Sequence, residues 1–480
     1  MPHPPYRNLD CVAPIHATVV LPMTKLPQEI FKAYDIRGIV DKSLTETVTE
    51  QIGQAIGTEA TLAGDRSVVI GRDGRLSGPS LATALSEGIR STGCDVVDIG
   101  MVPTPVTYFA THHLETGSAV SITGSHNPPE YNGLKVMIAG ETLAGDRIQM
   151  LRKRIEEQDL LSGNGSHHQE SVTEAYVARI TGDITLQRPL KVVLDCGNGV
   201  GGSIAPRVLK EIGCDVTELF SDVDGTFPNH HPDPSQLENL NDLIETVITT
   251  KADFGMALDG DGDRLGVVSA TGDIIFADRQ LLLFARDVLS RHPGAEIIYD
   301  VKCSKVLPDA IRESGGLPTM WKTGHSFIKA KLKESGAILA GEMSGHIFFK
   351  ERWYGFDDGI YAAARLCELL SAQDDPPTAV FKSIPELVST PELRLEMEEG
   401  EHHALVEQFV RNARFPTGEI CTIDGIRVDF KTGFGLARAS NTTSTVILRF
   451  EADRQQQLTE IQEQFRTQLL ALRPELNLPF

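Results

Sequence analysis

Short apolar runs and longer stretches with apolar residues at helical spacing follow one another along most of the chain. Three segments begin alike, with an apolar run that leads into a glycine-rich or polar loop: SVVIGRDGRLSG from Ser67, KVVLDCGNGVGG from Lys191 and EIIYDVKCSKVL from Glu296. A helix-like stretch and a second apolar run follow each of them. Strands that alternate with helices predict α/β layers around a largely parallel sheet. Because the pattern recurs at intervals of about a hundred residues, it indicates three similar α/β domains rather than a solenoid.

The pattern changes after about residue 385. The remaining residues contain two predicted strand regions, GEICTIDGIRVDF and TSTVILRF, and a helical stretch, EADRQQQLTEIQEQFRTQLLALR. These elements predict a separate C-terminal α+β domain. Apolar residues at helical spacing on the last helix predict a face that packs against the core. They are Leu458, Ile461, Phe465, Leu469 and Leu470.

Polar or proline-rich stretches interrupt the pattern near residues 161–172, 270 and 371–377 and mark the predicted domain boundaries. A chain of 480 residues is also expected to contain three or four domains. We expect residues 1–25 to be disordered. The predicted domains are domain I over residues 1–168, domain II over 169–273, domain III over 274–385 and domain IV over 386–480.

Composition narrows the possible function classes. The net charge of −21 argues against a broad basic surface for nucleic acid or an anionic membrane. No apolar stretch approaches the roughly 18 residues that a membrane span requires. The seven cysteines are scattered and form no Cys-x-x-Cys pair, so neither a disulfide framework nor a thiolate zinc site is indicated. We therefore expect a cytoplasmic enzyme with no nucleic-acid or membrane partner.

The stretch FGMALDGDGDRLGVV predicts two strands joined by a tight acidic loop. It carries Asp259, Asp261 and Asp263 at alternate positions, with Gly260 and Gly262 free to adopt φ values that other residues avoid. Three crowded carboxylates repel one another unless a cation is bound. Oxygen ligands favour Mg²⁺ or Ca²⁺ over zinc. An EF-hand is excluded because the loop lacks the required Gly at position 6 and Glu at position 12.

Ser125 follows an apolar run, GSAVSIT, that predicts a strand ending at Gly124. An Asn-Pro-Pro turn comes directly afterwards, at residues 127–129. The hydroxyl therefore lies at a strand end, where α/β proteins gather their ligand sites. The surrounding residues do not form Gly-x-Ser-x-Gly, so the nucleophile elbow of an esterase is not indicated. Taken alone, a serine beside a histidine in such a turn is more often a turn residue than a nucleophile.

Two further loops carry polar residues suited to a sugar phosphate. In ILAGEMSGHIFF, Glu342 and Ser344 would face the same way in an extended loop and could bind two neighbouring sugar hydroxyls. A structural hairpin is the alternative. GLARASNTTS contains enough donors to surround a phosphate, although small polar runs are usually only loops. These donors are Arg438, Ser440, Asn441 and Thr442.

Taken together, these motifs resemble the α-D-phosphohexomutase family, and most closely its bacterial phosphomannomutase/phosphoglucomutase branch. The similarity rests on AYDIRG, TGSHNPPEYNGLKV, DGDGDR, DVKCS, WKTGHSFIK, GEMSGH and RASNTT, which follow one another in this order from residue 33 to residue 443. The resemblance implies four domains around a central active-site cleft, three similar α/β units followed by a smaller α+β domain. About the first 25 residues lie outside the match.

The resemblance also implies a reaction cycle. Ser125 would be the phosphoryl carrier, and Mg²⁺ would be held by Asp259, Asp261, Asp263 and a phosphoserine oxygen. Transfer to the substrate would give a hexose 1,6-bisphosphate, such as glucose 1,6-bisphosphate, which turns round and returns its other phosphate to Ser125. Such transfer depends mostly on positioning and on electrostatic stabilisation of the phosphoryl group.

Further residues have roles implied by the resemblance. Lys135 and His346 are the expected proton-transfer residues. The other expected roles are charge compensation near Ser125 by Arg37 and Arg264; ligand contact by Tyr34, His126, Lys302 and His325; recognition of sugar hydroxyls by Glu342 and Ser344; and binding of the non-transferring phosphate by Arg438, Ser440, Asn441 and Thr442.

The expected substrates are mannose and glucose phosphates, and we expect a monomeric enzyme. The two sugars differ only at C2, which a Glu/Ser pair that binds O3 and O4 would tolerate. One alternative is a phosphoglucosamine mutase, although those enzymes typically have Gln where Met343 stands. A magnesium-dependent sugar phosphatase and a non-catalytic sugar-phosphate sensor are further alternatives.

Overall fold

The structure, a computed structural model, describes residues 26–398, 400–441 and 443–480. These residues form four β-sheets with helices packed on them. The first three sheets are mixed but mainly parallel, and the fourth is antiparallel. This confirms the predicted fold class of three α/β units followed by an α+β domain. Within the described part of the chain, no helix combines the length and the apolar character that a membrane crossing needs.

The N-terminal elements form the first sheet and its helices. They are a 3-10 turn (Gln28–Ile30), β1 (Ile36–Ile39), α1 (Glu46–Leu62), β2 (Ser67–Arg72), α2 (Gly78–Arg90), β3 (Asp95–Met101), α3 (Thr104–His113), β4 (Ser118–Ile122), β5 (Tyr131–Ile138), β6 (Glu141–Thr142), α4 (Asp146–Glu157) and β7 (His167–Gln169). The strand order is β1-β5-β4-β2-β3-β7, with β6 beside β5. Strands β4, β2, β3 and β7 run parallel, and β5 is antiparallel to β4. The predicted boundary after residue 168 falls within β7.

The second sheet is smaller and has a core of three parallel strands. Its elements are α5 (Thr173–Thr181), β8 (Lys191–Asp195), a 3-10 turn (Val200–Ser203), α6 (Ala205–Glu211), β9 (Asp215–Leu219), a 3-10 turn (Leu237–Leu240), α7 (Asn241–Thr250), β10 (Phe254–Leu258), β11 (Leu265–Ser269) and β12 (Ile274–Ile275). The strand order is β12-β11-β10-β8-β9. Strands β10, β8 and β9 are parallel, and β11 is antiparallel to β10.

The third sheet repeats this arrangement with four strands. Its elements are α8 (Ala277–Arg291), β13 (Glu296–Asp300), α9 (Val306–Glu313), β14 (Leu317–Trp321), α10 (His325–Ser335), β15 (Leu339–Gly341), β16 (Ile347–Phe349), α11 (Gly359–Ser371) and α12 (Pro377–Lys382). The strand order is β14-β13-β15-β16. The first three strands of this order are parallel, and β16 is antiparallel to β15.

The fourth sheet is entirely antiparallel. Its elements are β17 (Val388–Ser389), β18 (Leu393–Glu396), α13 (Glu401–Asn412), β19 (Glu419–Cys421), β20 (Ile426–Phe430), β21 (Gly433–Ala439), β22 (Thr445–Ala452) and α14 (Gln455–Leu472). The strand order is β17-β22-β21-β20-β19, and β18 also pairs with β22. The predicted apolar face of α14 is buried at Leu458, Ile461, Phe465 and Leu469, whereas Leu470 is only partly buried.

One topological feature of the three α/β sheets positions the candidate site. In each sheet the chain leaves a parallel strand and returns on an antiparallel neighbour, through the loops β4–β5, β10–β11 and β15–β16. Because these loops start at the carboxyl ends of parallel strands, they lie where α/β proteins place their ligands. The three loops carry Ser125, the acidic residues 259–263, and residues 342–346.

The apolar core is continuous through the first three sheets but not through the fourth. One cluster of buried side chains includes Val69, Phe254 and Leu366, which belong to three different sheets or their helices. The fourth sheet packs on its own helices around a separate cluster that includes Phe465. The three α/β units are therefore joined by hydrophobic packing. A small apolar cluster of Val301, Phe434 and Leu436 joins the third unit to the fourth domain, together with polar contacts such as that of Arg427 with the Val301 carbonyl.

Candidate active site

Ser125 lies just after β4 in a strained and buried position. Its φ of 49° is in the left-handed region, which costs energy for a residue other than glycine. Its amide donates to the Thr123 hydroxyl at 2.7 Å, and the residue is only 1% exposed. The Ser125 hydroxyl donates to Asp259 Oδ2 at 3.1 Å. The side chain therefore points from the first domain into the acidic loop of the second.

Arg75 lies just after β2, the strand next to β4, and holds this serine loop in place. Sequence reasoning missed this role. The guanidinium donates to four backbone carbonyls of the loop, at Ser125 (2.8 Å), Asn127 (2.5 Å), Pro128 (2.6 Å) and Tyr131 (2.9 Å). Such a fork of donors can satisfy several carbonyls at once, and Lys cannot reproduce it. The loop that displays Ser125 is thus bound to the end of β2.

Asp73 completes this support. Its carboxylate accepts from Arg75 Nε at 3.2 Å, from the Thr123 hydroxyl at 2.8 Å and from the Gly124 amide at 3.1 Å. A Cβ on Gly124 would lie 2.4 Å from the Arg75 guanidinium, so only glycine fits there. The sequence did contain a signal for this pair, the Asp-x-Arg in SVVIGRDGRLSG. It follows β2 directly, and parallel strands β2 and β4 end at the same edge of the sheet, so residues after β2 lie close to the serine loop after β4.

The three aspartates of the β10–β11 loop are fully buried and converge as predicted. Ligand oxygens of Asp259, Asp261 and Asp263 lie within 4.8 Å of one another. Gly262 has the expected positive φ of 76°. The prediction was wrong for Gly260, whose φ is not positive. That residue must be glycine because a Cβ there would lie 2.5 Å from the Ser125 carbonyl oxygen.

Lys135, on β5, supplies the positive charge nearest to these aspartates. Its ammonium donates to Asp261 Oδ2 at 2.8 Å and also to Asp263. Burial raises the pKa of Asp261, but the Lys135 charge outweighs this and holds that pKa below its usual range. Burial and the neighbouring carboxylates raise the pKa of Asp259 well above its usual range.

The donor set fits a hard divalent cation. One oxygen of Asp261 and one of Asp263 are buried without a hydrogen-bond partner among the described residues. Unpartnered buried carboxylate oxygens are costly, and carboxylates are the preferred ligands of Mg²⁺ and Ca²⁺. Thr104, at the start of α3, fixes Asp261 further by donating to its carboxylate at 2.5 Å.

Arg264 connects the acidic loop to the third domain. Its Nε lies 3.8 Å from Asp259 Oδ2 and donates to His346 Nε2 at 3.0 Å. Asp233, which sequence reasoning missed, lies 4.0 Å from Arg264 and 3.2 Å from His126 Nδ1. Burial and the Arg264 charge lower the pKa of His126.

Arg37 lies on the first domain's side of the cleft. Its guanidinium donates to the side chains of Asp35 and Asn127. Asn127 belongs to the serine loop, so the Arg37 side chain contacts the same loop that displays Ser125.

Glu342 and Ser344 lie in a tight turn. The extended loop assumed for this pair was wrong, because the Gly345 amide donates to the Glu342 carbonyl at 3.1 Å and Gly345 has a φ of 103°. Glu342 Oε1 accepts from the Gly324 amide at 2.6 Å, while Oε2 is buried without a partner among the described residues. Burial, with Asp300 nearby, raises the pKa of Glu342 to about 7. Ser344 is half-buried.

Tyr34 and His325 bring the first and third domains together. Their ring centroids are 5.6 Å apart in an edge-on arrangement. His325 also stacks on His346, with centroids 5.6 Å apart. Burial raises the pKa of the Tyr34 phenol, and the charge of Arg438 opposes that shift. The first, third and fourth domains thus meet around Tyr34.

Lys302 lies in the loop after β13, whose backbone is held by the fourth domain. Arg427 donates to the carbonyls on either side of Lys302, each at 2.7 Å. Arg449 donates to the carbonyl of Lys302 itself. The Lys302 ammonium pairs with Glu392 at 2.7 Å. The position of Lys302 therefore depends on the fourth domain.

The predicted phosphate-binding residues lie on β21 and the loop that follows it. Arg438 Nε donates to Asp424 Oδ2 at 2.9 Å, and its Nη2 is buried without a partner among the described residues. Asp424, which sequence reasoning missed, also accepts from the Thr323 amide at 3.0 Å and so joins the third and fourth domains. Ser440 is buried and Asn441 half-buried. Thr442 lies outside the described residues.

Comparison with known families shows matches along nearly the whole chain. The alpha/beta/alpha domains I, II and III of phosphoglucomutase/phosphomannomutase match residues 28–162, 174–272 and 276–388. The C-terminal domain of phosphoglucomutase/phosphomannomutase matches residues 392–468.

Individual proteins are similar over the same extent. The chain is 55% identical over 455 residues to a phosphomannomutase/phosphoglucomutase of Pseudomonas aeruginosa, which covers 95% of this chain and 98% of that protein. It is 52% identical over 448 residues to a phosphoglucomutase of Neisseria meningitidis. This match covers 92% of this chain and 97% of that protein. A crystal structure of a Burkholderia thailandensis phosphoglucomutase/phosphomannomutase family protein superposes with a TM-score of 0.90 at 54% identity, covering 95% and 100%.

Proposed function

The chain belongs to the phosphoglucomutase/phosphomannomutase family and is a phosphohexomutase, and we propose that Ser125 carries its phosphoryl group. The substrates we propose are mannose 1- and 6-phosphate and glucose 1- and 6-phosphate. The observation that carries the proposal is the 3.1 Å contact between the Ser125 hydroxyl and Asp259 in a loop of three buried aspartates.

We propose Mg²⁺ as the cation of the acidic loop, held by Asp259, Asp261, Asp263 and an oxygen on Ser125. The buried and partly unpartnered carboxylate oxygens support this assignment. When bound, the cation would offset negative charge on the phosphoryl group during transfer.

In the forward half of the cycle, a hydroxyl of the sugar attacks the phosphorus of phosphorylated Ser125. The P–Oγ bond breaks, the new P–O bond forms on the sugar, and the hydroxyl proton passes to a base while Ser125 regains a proton. The residues proposed for these proton transfers are Lys135 and His346. Arg37 contacts Asn127 of the serine loop, Arg264 lies 3.8 Å from Asp259, and both would offset charge. The bisphosphate then turns round and returns its other phosphate to Ser125.

Two unpartnered polar groups support the proposed ligand contacts. Arg438 has a buried donor at Nη2, and Glu342 has a buried carboxyl oxygen, Oε2, that donates when protonated and accepts when ionised. A buried polar group without a partner costs about 1–3 kcal/mol, which a bound ligand would recover. A phosphate on the fourth domain and a sugar hydroxyl on the third would satisfy both groups.

The remaining ligand contacts are proposed from the cleft and from the motifs of the sequence. Ser344 would bind a second sugar hydroxyl. Other proposed contacts are Tyr34, His126, Lys302 and His325 to the sugar phosphate, and Ser440, Asn441 and Thr442 to the non-transferring phosphate.

We also propose that glucose 1,6-bisphosphate activates the enzyme, because it can rephosphorylate Ser125 whenever the phosphate is lost. A monomer in the cytoplasm with four domains completes the proposal, with the first two boundaries moved past the ends of β7 and β12, at Gln169 and Ile275. The scattered cysteines support a reducing compartment, since every described cysteine is free.

The test is mass spectrometry of the purified protein followed by a turnover assay. We expect one phosphate on Ser125, and conversion of mannose 1-phosphate and glucose 1-phosphate that Mg²⁺ and a trace of glucose 1,6-bisphosphate stimulate. A preference for glucosamine phosphates would indicate the phosphoglucosamine mutase alternative. Release of inorganic phosphate without isomerisation would indicate a phosphatase, and binding without turnover a sensor.

A further inference from the structure

A buried ion pair with no role in the proposed cycle lies between the two histidines of the cleft. Lys329, on α10, donates from Nζ to Asp357 Oδ1 at 2.8 Å. Lys329 is 9% exposed and Asp357 is fully buried. The ammonium also lies over the Tyr108 ring, 4.2 Å from its centroid. Burial raises the pKa of Asp357, but the Lys329 charge outweighs this and holds that pKa well below its usual range.

The same ammonium determines how His325 can form hydrogen bonds. His325 Nδ1 lies 3.1 Å from Lys329 Nζ and 3.6 Å from Asp357 Oδ2, so the ammonium is its nearer neighbour and the only one of the two within hydrogen-bond distance. An ammonium can only donate, so Nδ1 accepts and the hydrogen of the neutral ring lies on Nε2. Burial and the Lys329 charge lower the pKa of His325 well below its usual value, which keeps the ring neutral. His325 is thereby held as a hydrogen-bond donor at Nε2.

The carboxylate of the pair has the matching effect on His346. Arg264 donates to His346 Nε2, so the hydrogen of that ring lies on Nδ1. Nδ1 is 3.1 Å from Asp357 Oδ2 and 3.5 Å from Asp263 Oδ1, and none of these three buried atoms has another hydrogen-bond partner among the described residues. Asp263, His346 and Asp357 also have the residue types and spacing of a metal site. A hydrogen on Nδ1 that faces the nearer oxygen, Asp357 Oδ2, would account for this spacing without a second cation and would leave Asp263 Oδ1 to the cation of the acidic loop.

We propose that Lys329 and Asp357 are positioning residues that fix the two cleft histidines in opposite tautomers. The pair would hold His325 with its hydrogen on Nε2 and His346 with its hydrogen on Nδ1. This inference rests on the proposed function, in which both histidines act at the sugar phosphate. A buried ion pair is weak evidence for stability, because the desolvation cost can exceed the Coulombic gain. The positioning role gives a reason for such a pair at this place.

The experiment is a double-mutant cycle in the full-length enzyme with glucose 1-phosphate and Mg²⁺. K329M/D357N removes both charges together, so no unpaired charge stays buried, and Asn can still accept from His346. H325A removes the proposed donor, and the triple variant H325A/K329M/D357N closes the cycle. K331M is the matched control on the same helix, because Lys331 pairs with the exposed Glu334 and lies over the Trp321 ring. The melting temperature Tm is measured for every variant.

We expect K329M/D357N and H325A each to raise KM about tenfold. A tenfold change corresponds to about 1.4 kcal/mol, which is about the free energy of one hydrogen bond to the ligand. The triple variant should have a KM within about twofold of H325A, because both changes remove the same donor. K329Q/D357N keeps a neutral N–H donor near His325, so its KM should lie between that of the wild type and that of K329M/D357N. This variant replaces K329M/D357N in the cycle if K329M/D357N folds poorly. K331M should resemble the wild type.

Three results would overturn the proposal. One is an unchanged KM in K329M/D357N with only a lower Tm, which indicates a structural role. Another is a triple variant whose KM rises by the product of the two separate fold-increases, since the two changes would then act independently. The third is H325A without any kinetic effect, since there would be no histidine to position. The proposed function fails separately, if Ser125→Ala retains wild-type turnover.

Discussion

The Ser125 hydroxyl and Asp259 Oδ2 lie 3.1 Å apart although 134 residues separate them along the chain. The contact joins the β4–β5 loop of the first domain to the β10–β11 loop of the second. Close approach is possible only because Gly260 leaves room for the Ser125 carbonyl. Two loops with the same topological position in two similar sheets thus supply the proposed phosphoryl carrier and the proposed metal ligands.

Replacement of Ser125 by Ala should abolish mutase turnover. The variant lacks the oxygen that we propose to carry the phosphoryl group, so kcat should fall by more than about a thousandfold. A coupled assay that follows glucose 6-phosphate formation measures this loss. Ser383→Ala is a control away from the cleft, because Ser383 is exposed and its hydroxyl donates to the Val380 carbonyl. If Ser125→Ala keeps more than a tenth of the activity, another residue carries the phosphate.

Replacement of Asp261 by Asn should weaken the dependence on Mg²⁺. The change removes a ligand charge, and we expect the Mg²⁺ concentration for half-maximal activity to rise at least tenfold, the size of effect known for losses at metal sites. Asp242→Asn is the matched control, because Asp242 is exposed on α7. Titration of activity with Mg²⁺ after chelation measures both variants. An unchanged titration curve in Asp261→Asn would exclude this residue from the metal site.

Replacement of Arg75 by Lys should lower kcat more than it changes KM. Lys keeps the charge but cannot donate to four carbonyls of the serine loop, so Ser125 would be misplaced. A displacement of about 1 Å at a reacting group can cost about a hundredfold in rate. Arg72→Lys is the control, since the Arg72 guanidinium makes a long ion pair, at 3.9 Å, with Asp98. The two kinetic constants and the phosphate content of Ser125 are measured together. Wild-type kcat in Arg75→Lys would contradict the positioning role.

The repeated strand-and-helix pattern was enough to predict the three α/β units, because buried parallel strands need continuous apolar runs whatever their partners. The acidic loop was predictable for a similar reason, since its three carboxylates are close in sequence. Arg75 and Asp424 were not predictable in this way. Their roles depend on backbone groups of other strands and domains, and a sequence does not show which carbonyl or amide lies opposite a side chain.

Local conformation was the other source of error. The extended arrangement of Glu342 and Ser344 failed because Gly345 closes a tight turn, which the pattern of apolar residues could not show. Gly260 was correctly identified as special but for a wrong reason, since its requirement is steric and arises from the approach of Ser125. In both cases the decisive contact is tertiary, so residue type alone was insufficient.

The raised pKa of Glu342 predicts a specific dependence of stability on pH. In the unfolded chain this carboxyl ionises near its ordinary pKa, whereas in the folded protein its pKa is about 7. Between these two values the folded state binds a proton that the unfolded state has lost, so the free energy of unfolding falls as pH rises. The groups that act on Glu342 are His346, Asp300 and Lys302. The loss should amount to about 3 kcal/mol between pH 4.5 and pH 7.

Glu342→Gln isolates this contribution. Gln keeps an oxygen for the Gly324 amide but cannot ionise, so the variant should gain stability relative to the wild type as pH rises from 5 to 8. Urea unfolding of both proteins at pH 5, 6.5 and 8 measures the difference. Asp358, whose pKa burial also raises to about 7, acts in both proteins and cancels in the comparison. A constant difference between the two proteins across this range would show that Glu342 is ionised throughout. In that case Oε2 would be a buried carboxylate oxygen that accepts a hydrogen bond, rather than part of a protonated carboxyl that donates one to the sugar.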